Sequence, residues 1–148
     1  MDMSEIYNDP TILAFLRSSG LAEQVAANDV ARRQTAINQA LGIGIEDLNQ
    51  KGEISRRNIG NSYEDRGVYR SGANLRDQAE QEAQQARQQG ALQFQARDDM
   101  NNLSGGLTSM IAENQQKAAE MGTQAYMDNA LSAGRDAIDN KYLDYGDE

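Results

Sequence analysis

The residues whose types could do chemistry are three adjacent carboxylate pairs and one pair of arginines. Glu46-Asp47, Glu64-Asp65 and Asp98-Asp99 carry acid/base groups. General acid–base catalysis needs both groups aimed at one reacting centre. Neighbours in sequence point to different sides of a helix, so these pairs read as solvated faces. Arg66 and Arg70 stand around Gly67, with Ser71 and Gly72 directly after. Arginines among glycines suggest a phosphate cradle. The spacing matches no phosphate loop, however, and no strand precedes it. The chain has no Cys and no His. Disulfides, Cys/His zinc sites, thiol nucleophiles and imidazole acid/base chemistry are all removed together. No EF-hand loop is present either. The expectation is a protein that is not an enzyme and holds no cofactor or metal.

The elements that carry these residues are polar and helical. Of 148 residues, 39% are hydrophobic and 5% aromatic, with no Trp and one Pro. Mean hydropathy is -0.76. Much of the apolar share is Ala, which buries little area per residue. Ordering a chain costs about 1–2 kcal/mol per residue in conformational entropy, so such a core leaves a lone monomer marginal. Net charge is -9, and no segment is basic. Specific nucleic-acid binding is not expected. No apolar run approaches the roughly 18 residues of a membrane span, and the acidic start argues against a secretory signal.

The spacing predicts an all-α fold: an elongated hairpin of two long helices joined at 66–72, plus a third helix, packed in an oligomer. Residues 1–20 form an N-terminal docking segment. Asp9-Pro10 starts a short helix there, and Gly20 ends it. Its cluster, which includes Phe15 and Leu16, suits either a helix folded back on the body or a peptide docking into a neighbouring subunit. Residues 21–139 hold the hairpin and third helix. Leu21, Val25, Ile37, Leu41, Ile45 and Leu48 mark the first stripe. From Ile37 its steps are 4, 4 and 3, an eleven-residue repeat that favours nearly straight or slightly right-handed packing. Gly42, Gly44 and Gly52 mark a kink or a close approach of backbones.

At the reversal, Gly67 and Gly72 are free to take positive φ, and Ser71, with Asn74 as the alternative, caps the next helix. Val68 and Tyr69 pin the corner. Arg66 and Arg70 reach terminal carbonyls of the first helix. In the second helix, Ala79, Ala83, Ala86, Gly90 and Phe94 form a small-residue seam for the other arm. Asn101 to Gly106 reads as a stop. A third helix over 107–139 then follows, with Leu107, Ile111, Asn114, Ala118, Met121 and Ala125 at heptad steps. Asn114 fits either a register-setting core position or a wet one. Residues 140–148 form an acidic, aromatic tail, read as a frayed end or as a docking peptide built on Tyr142 and Leu143.

Across residues 21–103, the polar first helix, the turn Arg66-Gly67-Val68-Tyr69-Arg70-Ser71-Gly72 and the Ala/Gln-rich second helix resemble small helical virion structural proteins of tailed bacteriophages. The resemblance implies a non-enzymatic subunit present in several copies, in the neck, the tail, or the capsid interior as an ejected protein. It implies contacts with its own copies and with portal, tail or capsid proteins. The implied location is the virion, with a soluble stage in the bacterial cytoplasm during assembly. No functional residues carry over from it. The competing reading is a helical partner-binding or chaperone-type module of a secretion system.

Overall fold

The computed structural model describes residues 9–68 and 71–143, the last five of these as backbone only. Two helices account for nearly all of them: α1, Pro10–Asp65, and α2, Gly72–Leu143. No strand occurs among the described residues. Asp9 starts α1 as the sequence suggests. Its Oδ1 accepts from the Thr11 amide at 2.8 Å and the Ile12 amide at 3.4 Å. Pro10 takes the first helical position, where a missing N–H is harmless.

Both expected interruptions are absent. α1 runs through Gly20, and α2 runs through 101–106 without a stop. No third helix is separated from the second. Each interior glycine costs about 1 kcal/mol relative to Ala. Packing of the flanking rows outweighs that cost. Ser19 and Glu23 straddle Gly20 on the less exposed side of α1, and Leu103 and Leu107 straddle Gly105-Gly106 in the same way.

Two compact units divide the chain: residues 29–105, and residues 1–28 with 106–148. Each holds a stretch of α1 antiparallel to a stretch of α2. In the unit of 29–105, Gln34 pairs with Ser104, Asn49 with Gln85 and Tyr63 with Asp77. The less exposed residues of α1 there are Val30, Gln34, Ile37, Leu41, Gly44, Ile45, Leu48 and Gly52, followed nearer the turn by Ser55, Ile59, Gly60, Ser62 and Tyr63. On α2 they are Asn74, Gln78, Gln81, Gln85, Gln89, Leu92, Ala96, Met100 and Leu103. Leaving Gly44 aside, the α1 row from Val30 to Gly52 steps by fours and threes in the 4-4-3 order, and so does the α2 row; on α1 the order lapses at Ser55. That eleven-residue repeat stays close to the natural 3.6 residues per turn.

In the other unit, Ile12, Phe15, Ser19, Glu23 and Ala26 form the α1 row. Leu21 and Val25 do not belong to it; both are exposed. Glu23 takes the inner position instead and accepts from Asn114 Nδ2 at 3.0 Å. The core is thin throughout. Ile12 (2% exposed) and Ala96 (7%) are the buried apolar residues among those described.

Candidate functional site

The turn is the best-defined local structure. Val68 N–H donates to Tyr63 C=O at 2.9 Å, and Gly67 N–H donates to Glu64 C=O at 2.8 Å. This pair of bonds is a Schellman cap, which satisfies the orphan carbonyls at the end of α1. It needs a left-handed residue at Gly67, whose φ is +68°. Gly72 is not in that region and serves as the first residue of α2. Ser71 caps α2: its Oγ accepts from the Asn74 amide at 3.2 Å. Asn74 is buried, and its Oδ1 accepts from Gln78 Nε2 at 3.0 Å.

Across the turn, the Tyr63 hydroxyl donates to the Asp77 carboxylate. That hydrogen bond to a carboxylate raises the Tyr63 pKa, because ionising the phenol would put two negative charges together. Arg66 does not reach the helix carbonyls. Its guanidinium lies 5.8 Å from the centroid of the Tyr63 ring, a cation–π geometry. Arg70 and Tyr69 lie outside the described residues. Val68 is exposed, at 45%.

The carboxylate pairs are solvated. Glu46, Asp47, Glu64, Asp65, Asp98 and Asp99 are all exposed, and Asp47 pairs with Lys51 on its own helix at 2.6 Å. Among the described residues no group of acidic side chains is placed to hold a metal, and no helix is long and apolar enough to cross a membrane.

Leu41, Ile45 and Leu48 lie half-buried on the inner side of α1. The row opposite them is not the expected one. Ala79, Ala83, Ala86 and Phe94 are exposed, and Gly90 with them. The glutamines at 81, 85 and 89 take the inner side instead. The cause is helix phase. Leu92, Ala96, Met100 and Leu103 fix which side of α2 turns inward, and a continuous helix imposes that phase on the residues before them. Stepping back from Leu103 by 3, 4, 4, 3, 4 and 4 lands on Gln81, so the signal was present. The expected break at 101–106 hid it by severing the Leu107 and Ile111 row from the rest.

Leu107, Ile111 and Met121 are half-buried in their own unit. Phe15 is half-buried and Leu16 exposed there. The side chains of Tyr142 and Leu143 lie outside the described residues.

Sequence reasoning missed the cross-arm polar contacts. Gln85 Nε2 donates to Asn49 Oδ1 at 2.9 Å. Gly52 is buried against the same glutamine, and a Cβ at 52 would overlap its amide. Gly44 faces Leu92 Cδ1, which a Cβ would meet at 3.1 Å. At Gly44 and Gly52 the close neighbour is thus a side chain of the other arm, not the backbone that the sequence suggested. Gly42 faces open space. What the described residues offer is apolar surface: Ile43, Ile54, Leu75, Phe94, Met127 and Leu131 all stand exposed along the helices. Comparison with protein-family models, with curated proteins and with solved structures yields no match.

Proposed function

We propose that this chain is a non-enzymatic structural subunit of a tailed-bacteriophage virion, placed in the neck, tail or capsid interior and present in several copies. The observation that carries the reading is the thin internal seam beside large apolar residues left exposed at helical spacing on both helices. Single exposed apolar residues are ordinary on a protein surface. Rows of them along helices that bury so little are suited to burial against other chains. The partners are further copies of the chain and a larger portal, tail or capsid protein. The acidic balance suits proximity to DNA without retention of it.

The test is mass spectrometry of density-purified phage particles from the lysate of the host that encodes the chain. Its peptides are expected at several copies per portal ring. Absence from particles that contain their other structural proteins overturns the reading.

A secretion-system module is the second reading. It draws on Met127, Leu131 and Ile138, which lie exposed near the end of α2 at steps of 4 and 7. Those steps give one helix face that a groove of a partner could accept.

A further inference from the structure

Leu75, Ala79, Ala83, Ala86, Gly90 and Phe94 follow one another along α2 at steps of 4, 4, 3, 4 and 4. This is the eleven-residue step of the seam, set on the other side of the helix. All six residues are exposed, Leu75 at 64% and Phe94 at 73%. Among the described residues nothing stands over Gly90: a Cβ there would meet no atom within 4 Å.

The row reads the same in both directions. Its steps are palindromic, and so are its sizes, with a large residue at each end and four small ones between. A two-fold contact demands such self-complementarity, since residue i meets j while j meets i. We propose that this face joins two copies of the chain, antiparallel, about a two-fold axis between Ala83 and Ala86. The inference rests on the multi-copy reading above and names its contact.

In that pairing Leu75 comes level with the partner's Phe94, Ala79 with the partner's Gly90, and Ala83 with the partner's Ala86. The small middle lets the two backbones approach closely, and the large ends close over the gap. Charge fits the same register. Glu80 and Arg87 lie on one flank of the row, and neither is in an ion pair among the described residues. A two-fold axis across antiparallel helices keeps like flanks together. Arg87 therefore falls within two residues of level with the partner's Glu80.

The chain has no cysteine, so introduced thiols report without background. Leu75→Cys protein is mixed with Phe94→Cys protein and treated with a short bismaleimide. The mixed cross-link is expected at about tenfold or more over either protein treated alone. Equal yields, or self-linking of Leu75→Cys alone, overturn the antiparallel register. In sedimentation equilibrium, Ala83→Glu is expected to raise the dimer dissociation constant about tenfold or more while helicity by circular dichroism is kept. An unchanged constant removes the face from the contact. A wild-type chain that stays monomeric at its highest soluble concentration also overturns the proposal, and leaves the face to a different protein or to none. Cross-linked dimers in a chain absent from particles would sink the virion reading alone. A chain found in particles but lacking the cross-link would sink this contact alone.

Discussion

Within residues 29–105 the seam changes character along its length. In its middle, Ile37 and Leu41 of α1 line one depression with Leu92 and Ala96 of α2. Nearer the turn, Asn49 meets Gln85, Gly52 abuts the same glutamine, and Arg56 stands 3.9 Å from Glu82. The middle stretch is apolar, whereas nearer the turn polar and small residues predominate, with Ile59 half-buried among them. Apolar contact is non-directional and supplies most of the stability that burial can give. The polar contacts near the turn are exposed and add little net free energy. The middle stretch therefore carries more of the burial that holds the arms together.

Charge placed in the apolar stretch gives the largest effect that could break this comparison. Ala96→Asp buries a carboxylate with no basic partner and is expected to cost about 2–4 kcal/mol, read as a fall in thermal midpoint by circular dichroism. If it melts with the wild type, the apolar stretch is not the anchor.

The turn comes next. Gly67→Ala forces a left-handed alanine and is expected to cost about 1–2 kcal/mol, visible in urea unfolding. Gly72→Ala at the start of α2 carries no such strain, so equal losses at the two positions would contradict the cap.

Glycines in the two settings separate the stretches further. Gly90→Ala adds a methyl in open space, and at low protein concentration it is expected to stabilise by about 1 kcal/mol through helix propensity. Gly52→Ala meets the Gln85 amide and should lose that gain by displacing the bond to Asn49. Identical shifts for both would mean that Gly52 is not a packing residue. Ala83→Leu, on the outer side, is expected to leave the monomer's melting unchanged.

The smallest effect concerns Tyr63. Its pKa is raised in the folded chain by the bond to Asp77. The contribution of that bond is therefore full below the ordinary tyrosine pKa and fades as pH climbs through the raised value. Tyr63→Phe should lower stability slightly near neutral pH and narrow its gap to wild type on the alkaline side. A gap that widens with pH would reverse the assigned sign.

Much of this organisation was legible in the residues. Asp9-Pro10 announced the start of α1, Gly67 and Ser71 announced the caps of the turn, and Ile37 to Leu48 carried the eleven-residue step. Three features were not legible. Helix breaks inferred from Gly20 and Gly105-Gly106 rest on local propensity, a weak term that neighbouring packed rows override. The identity of the inner side of α2 could not be read from residues 73–94 alone. Two rows there share the helical period, and the more apolar one faces outward. Only the continuation into Leu92 to Leu103 decides between them. The bond from Tyr63 to Asp77 was hidden for a different reason: it depends on how the arms meet after the turn, which no local pattern encodes.

The eleven-residue step makes the length of the hairpin an adjustable quantity. Three helical turns of an ordinary α-helix nearly equal eleven residues, so removing eleven from each arm at matching levels returns every remaining side chain to its own face. Each such excision shortens an arm by about 16 Å without asking the seam, the caps or the outer row to change. A strict seven-residue seam drifts by about 20° per repeat and must coil to keep its face. A chain built this way can serve as a graduated spacer, tuned in fixed increments while its surface chemistry stays in register.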